Sequence, residues 1–209
     1  MFEGKPTSQA PSRPAVQRRG VARRRAILDA AEALLGEQGY EATTLKAISE
    51  RAGIPVASIY HYFSDRYGVE AELLERHVRE LDARIGAALE APGPRTLRDA
   101  VDAVLDAVRD YFRAHPSCTE LWFARRSTTA GDPVPAFDGA QAERLHHFLV
   151  ERGLISVDTP RHVLRLAFEV GNRLLDIAFR GTPAGDETTI GEARRAITAY
   201  LATYAPPGV

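Results

Sequence analysis

Apolar residues recur at helical spacing along most of the chain. Ile27, Ala30, Ala31, Leu34 and Leu35 follow the i, i+3, i+4, i+7, i+8 rule of one buried helical face. Gly39 is placed to end that helix. Thr43 or Thr44 can cap the next, because a hydroxyl accepts from an orphan N–H of the first turn. Lys46 and Ala47 stand where a capping box would need glutamate. This second helix runs to about Arg51, buries Leu45 and Ile48, and is broken by "AGIP" at Gly53. A third, short helix follows, with Pro55 near its first turn, where a missing N–H costs little. Ser64 can cap a fourth segment beginning "SDRYG". A long helix then spans about 69–90, with Val69, Leu73, Leu74, Val78, Leu81, Ile85 and Leu89 on one stripe, until "APGP".

Leu97, Val101, Val104, Leu105, Val108 and Phe112 stripe another helix, ending at His115-Pro116. "TELWFARR" predicts a further short helix and "AGDPVP" a loop. Helices over about 137–152 and 159–180, joined by "GLISVD", and a last one over about 188–204 complete the pattern. No run alternates with the period of a strand. The expectation is an all-α chain with no internal repeat. Residues 1–20 lack periodicity and are rich in Pro, Ser, Gln and Arg, which predicts a disordered arm. The helix-turn-helix unit would cover 21–67, and a larger helical domain 68–209.

The chain has 209 residues and is 44% hydrophobic, enough for a substantial core. Its net charge of −1 hides an asymmetry. Residues 1–66 carry 10 Lys/Arg against 7 Asp/Glu, and seven of those ten positives fall within residues 1–25. A basic arm on a nearly neutral body fits either a polyanion partner or a solubilising tail. The lone cysteine, Cys118, excludes an intrachain disulfide and a cysteine-based zinc site, and a free thiol suits a reducing compartment. No window approaches 18 uninterrupted apolar residues and no signal peptide is apparent, so a cytoplasmic protein without membrane association is expected.

The densest aromatic run is Tyr60, His61, Tyr62 and Phe63, within "GIPVASIYHYFSDR". Side chains turn 100° per residue on a helix, so these four cannot share one core. Ile59 and Phe63, four apart, face inward, with Ile54 and Ile59 packing back on Leu45 and Ile48. Tyr60 and His61 then look outward. Two short helices joined by Ala52-Gly53-Ile54 have helix-turn-helix geometry, with glycine supplying the positive φ of the turn. The second would present its outer face to a major groove. Tyr60 can donate to phosphate, His61 can reach phosphates or base edges, and Arg66 can clamp a phosphate. Tyr62 reads better as a packed amphipathic aromatic.

At the run "AILDAAEALLGEQGYEATTLKAISERAGIPVASIYHYFSDRYGVEAEL", residues 26–73, the chain resembles the TetR family of transcriptional regulators. The shared pattern is a helix, glycine-aromatic, Thr-Thr, the helix-turn-helix and a Tyr-x-x-Phe close. Pro55 and Val56 stand where the family commonly has small or basic residues, which bears on the sequence read. The resemblance implies that Thr44 and Lys46 meet phosphate, that Val56, Ala57, Ser58 and His61 lie along the groove, and that Tyr60 and Arg66 hold the backbone. Val56 suits a thymine methyl. With no Arg, Asn or Gln on the recognition helix, part of the specificity would be indirect or come from the arginine arm in a minor groove.

Helix 159–180 carries apolar residues over more than one face, so it is buried on more than one side. Gly171 and Ala167 would permit close approach of a second helix. The resemblance implies pairing of this helix and 137–152 with their copies in a homodimer, matching a palindromic operator on double-stranded DNA; a central core helix is the plain alternative. It also implies a pocket for a small apolar or aromatic ligand. Tyr111, Phe112, Cys118, Trp122, Phe168 and Asn172 are the candidate lining, although each also fits plain core. No cofactor is expected, and His146, His147 and His162 form no metal constellation. No phosphate loop, nucleophile elbow or HExxH supports an enzyme. The reading is a DNA-binding regulator, a repressor released by a small ligand. The alternative is one without such an inducer, controlled by a protein partner or acting architecturally.

Overall fold

The computed structural model describes residues 13–90, 93–125 and 133–206, and among these the chain is all helical. The first helix, α1 (Arg13–Gln38), starts earlier than expected. Residues 13–20, placed in a disordered arm, are its first two turns, while residues 1–12, including Lys5, lie outside the described residues. Pro14 sits in the first turn, where proline is tolerated, and the Arg, Gln and Ala that follow are mostly good helix formers. Ile27, Leu34 and Leu35 are buried as their spacing requires.

Thr44 caps α2 (Leu45–Ala52) by accepting from the Ala47 N–H at 3.1 Å. Gly53 ends it at φ 64°, a left-handed conformation in which a side chain would be strained. The recognition helix α3 (Val56–Ile59) has only one regular turn, and tight backbone bonds carry it on through Phe63. Ser49 Oγ donates to the Ile54 carbonyl at 2.7 Å in the buried elbow of the motif.

The segment expected to start separately at "SDRYG" is continuous with the long helix, forming α4 (Arg66–Glu90). Asp65 rather than Ser64 meets its first turn, accepting from the Gly68 N–H at 2.8 Å. Val69, Leu73 and Leu74 sit in the core near the helix-turn-helix, and Leu81 and Ile85 in the core of the second domain. One rigid element therefore belongs to both domains.

A capping box of Thr96 and Asp99 starts α5 (Leu97–Ala114). Pro116 opens α6 (Pro116–Arg125), which packs back on α1. The outer helices are α7 (Pro133–Glu151), α8 (His162–Arg180) and α9 (Glu187–Ala202). Asp186 caps α9, accepting from the N–H groups of Thr188 and Thr189. α8 lies between α7 and α9. A Cβ on Gly171 would come within 3.0 Å of Ile197 Cδ1. The close approach expected of Gly171 and Ala167 is thus made inside the chain, with α9 against Gly171 and Ala167 buried in the core. The outward apolar face of α8 is a different one, carrying Leu166, Val170 and Ile177, each about half exposed.

Candidate nucleic-acid interface and internal cavity

Ile59 and Phe63 are buried and Tyr62 is packed against the core, which leaves the rest of the aromatic run facing out. Tyr60 is 56% exposed and His61 is exposed beside it. Ala57 is exposed, and Val56 and Ser58 are half-buried. At the start of α2, Thr44 and Lys46 are exposed, with Lys46 Nζ 4.0 Å from Glu50. All of these residues retain accessible surface; Thr44 is the side-chain cap of α2, and Tyr60 and His61 stand in the backbone-bonded turn that follows α3.

Arg66 departs from the expectation. Its guanidinium lies 4.1 Å from the centre of the Tyr40 ring, donates to the Tyr40 carbonyl at 2.6 Å, and pairs with Glu70. The Glu70 side chain is 3% exposed, and Tyr40 Oη donates to it at 3.3 Å. Because α4 begins at Arg66, its side chain falls back over the start of the α1–α2 connection and ties that connection to α4. In this structure the guanidinium serves an internal tie. Tyr67, 60% exposed and next in sequence, was not singled out by pattern reasoning. Its place just outside the stripe that starts at Val69 was the available signal. On α1, Arg18 and Arg19 are exposed, whereas Arg24 pairs with Glu72 and lies over Phe63.

In the second domain a cavity of about 60 Å³ lies among α4, α5, α6, α7, α8 and α9. Of the expected lining, Trp122, Phe168 and Asn172 reach it. Tyr111, Phe112 and Cys118 do not. The cavity meets α5 along Val101, Val104, Leu105 and Val108 and ends there. One turn on, Phe112 packs edge-on against Trp122 and Phe179, with ring centres 5.6 and 5.5 Å away, behind the cavity wall. Tyr111 turns toward α4, where its hydroxyl meets His77 Nδ1 at 2.9 Å and Glu80 at 3.1 Å, and burial raises its pKa. Cys118 is fully buried, and burial pushes its thiol well above the ordinary value, so it is inert core.

The lining is almost entirely apolar. Its polar exceptions are Asn172 and Asp138, joined by an Nδ2–H to Oδ2 hydrogen bond of 2.7 Å. Asp138 was missed, although Val134, Phe137, Asp138, Gln141 and Leu145 share helical spacing and are all buried. The Trp122 Nε1–H is buried with no hydrogen-bond partner among the described residues. Buried donors are normally satisfied, which sets this N–H apart. On α4, Leu81 and Ile85 form part of the wall.

His77, 1% exposed, is held neutral: burial first, then the nearby His115 and Arg76, lower its pKa to about 3. It lies near Glu32 of α1 and His115 of the α5–α6 turn. No helix among the described residues is long and apolar enough to cross a membrane.

Two family models match the chain. Residues 27–73 fit "Bacterial regulatory proteins, tetR family", and residues 96–201 fit "Tetracyclin repressor-like, C-terminal domain". The chain is 32% identical to a TetR-family transcriptional regulator from Streptomyces coelicolor of known crystal structure. That match covers 87% of this chain and 99% of the other, with a TM-score of 0.66. It is 28% identical over 145 residues to the HTH-type transcriptional repressor KstR of Rhodococcus jostii (strain RHA1), covering 69% of this chain and 66% of KstR. It is 27% identical over 158 residues to the HTH-type transcriptional activator FasR of Mycolicibacterium smegmatis, covering 68% of this chain and 72% of FasR.

Proposed function

This chain belongs to the TetR family of DNA-binding transcriptional regulators, and from that premise we propose that it is a homodimeric repressor released from its operator by an apolar ligand. The observation that carries this reading is the course of α4. The helix starts beside the recognition helix and forms, at Leu81 and Ile85, a wall of the cavity.

Thr44, Lys46, Val56, Ala57, Ser58, Tyr60 and His61 would meet the DNA, joined by Tyr67. Tyrosine and lysine bind phosphate whatever the sequence, while Val56 and His61 read base edges. Leu166, Val170 and Ile177 are the natural seam for the second copy. A two-fold pair would set its recognition helices ~34–36 Å apart on a palindromic site.

The cavity, at about 60 Å³, is far smaller than the ~300–1,000 Å³ of typical ligand sites. A ligand therefore enters only by parting the helices, and Leu81 and Ile85 pass that movement to α4. Its chemistry would be apolar, with an acceptor for Trp122 Nε1–H. The small volume also supports a second reading, a regulator of the same family with no small-molecule inducer. The likeness to an activator as well as to a repressor bears on the sign of regulation.

In vitro selection of operator DNA followed by footprinting tests the first half of the proposal; the expected result is a palindromic footprint bound by a dimer. Titrating the single tryptophan's fluorescence with neutral straight-chain alcohols, alongside operator release, tests the second. A footprint with no release by any of them favours the reading without an inducer. Equal affinity for all duplexes removes sequence-specific regulation altogether.

A further inference from the structure

We propose that Glu32, His77 and His115 form a binding site for a divalent transition-metal ion of the zinc class, joining α1 of the DNA-binding domain to α4 and the α5–α6 turn. One ligand atom from each of the three lies within 4.8 Å of the other two. Tetrahedral zinc, with Zn–N and Zn–O bonds of about 2.0–2.2 Å, puts its ligand atoms roughly 3.4 Å apart. A contraction of at most about 1.4 Å completes the set.

The hydrogen-bond pattern leaves a lone pair at this point. The Tyr111 hydroxyl has one proton and gives it to Glu80 at 3.1 Å, so at 2.9 Å it accepts from His77 Nδ1–H. Nδ1 therefore carries the imidazole's proton, and Nε2 presents its lone pair. Glu32 Oε1 lies 3.8 Å from that nitrogen, and Ser117 Oγ sits at 3.5 Å, the outer limit of a hydrogen bond. A lone pair facing a carboxylate oxygen across this gap is stabilised by a cation between them.

A metal-bound histidine usually donates its other N–H to an outer partner that fixes tautomer and orientation. Tyr111 and Glu80 already supply that arrangement. Arg76 pairs with Glu32 through Oε2, leaving Oε1 for the ion. The cations Arg76 and Arg84 oppose a second positive charge here, and Glu32, Glu80 and Asp29 offset them. Two imidazoles and one carboxylate suit zinc, cobalt or nickel rather than calcium or magnesium, whose ligands are mainly oxygen. Three protein ligands leave the fourth position for water. The ion can reach the site from solvent, since Glu32 and His115 line an open groove between α1 and α4.

The three residues come from positions 32, 77 and 115, on elements from both domains. An ion there holds α1 against α4 and the α5–α6 turn, and so fixes how the DNA-binding domain sits on the rest of the molecule.

The test uses full-length protein stripped with EDTA. Zinc chloride is titrated in competition with a chromophoric chelator, and cobalt(II) absorption reports the coordination geometry. One ion per chain is expected, with tetrahedral cobalt bands. His115→Ala and Glu32→Gln should each lower zinc affinity at least 100-fold. Tyr111→Phe, which removes only the outer partner, should lower it about 10–100-fold. His147→Ala should change nothing; it reports on the exposed His147–Glu151 pair, 3.1 Å apart. Stoichiometry below one ion, affinity unchanged in His115→Ala, or loss in His147→Ala overturns the site. These readouts need no DNA, so the site stands or falls apart from the operator reading. On a selected operator, zinc should change wild-type affinity at least fivefold and leave His115→Ala unaffected. An unchanged wild type overturns the clamp.

Discussion

Replacing Arg66 removes the cation on which Glu70 depends, and the Glu70 side chain is only 3% exposed. A buried carboxylate that loses its cation destabilises the fold, whatever the DNA does, even with the Tyr40 hydroxyl still donating to it. Arg66→Ala should therefore cost about 2 kcal/mol, the scale of a charged hydrogen bond left unmade. A lowered denaturant midpoint would show it, and an unchanged midpoint with weakened operator binding would restore the phosphate clamp. Tyr60→Phe is the contrasting change: at 56% exposure it should leave the midpoint in place and weaken every operator by about 1 kcal/mol. Rotation of 100° per residue was enough to sort Ile59, Tyr60, Tyr62 and Phe63 from sequence alone. The internal contacts of Arg66 were not legible, because an exposed-looking arginine after a turn has two destinations, and sequence spacing does not choose between them. The chosen one was visible as Glu70 at i+4, but the burial that makes the pair matter depends on Tyr40, 26 residues away.

Two elements differ from their sequence pattern in ways that carry predictions. α1 extends to Arg13, so Arg18 and Arg19 stand on a helix rather than a free arm. If they neutralise phosphates, Arg18→Gln with Arg19→Gln should flatten the plot of log affinity against log salt by about 0.9 for each phosphate no longer neutralised. An identical slope reduces them to solubilising charge. α8 carries two faces that its composition could not tell apart. Gly171 meets Ile197 inside the chain, while Val170, its neighbour, is 46% exposed. Val170→Glu should split the proposed dimer in sedimentation and leave the monomer's helicity intact; Gly171→Leu should unfold the domain first. The reverse result would move the dimer seam to Gly171. Hydrophobic periodicity found the helices well because burial imposes that period on any amphipathic helix. It could not say which neighbour covers an apolar face, since another helix of the chain and a second copy offer the same chemistry.

The molecule as a whole is organised by α4, which reaches from the recognition helix to the cavity. The cavity was only half legible in sequence. Trp122, Phe168 and Asn172 reach it, but Tyr111 and Cys118 belong to a buried junction whose partners lie on other helices. No sequence pattern brought Glu32, His77 and His115 together, because their meeting depends on how three helical elements cross. The same crossing gives the coupling its test. A ligand that parts the helices must do work on Leu81 and Ile85, so a cavity filled in advance should neither accept the ligand nor transmit it. Ala167 is buried and lines the cavity from α8, and Ala167→Val adds two methyl-sized groups there. Operator affinity of the free variant should match wild type, because in the proposed mechanism the packed state is the one that holds DNA. With an apolar ligand at saturation, wild type should lose about 5–150-fold in operator affinity, the usual range for coupled sites, and Ala167→Val should lose almost none. Trp122 fluorescence would follow binding in both proteins. A variant that binds the ligand and still releases DNA would place the inducer elsewhere in the molecule, and the expanding cavity would no longer explain the response.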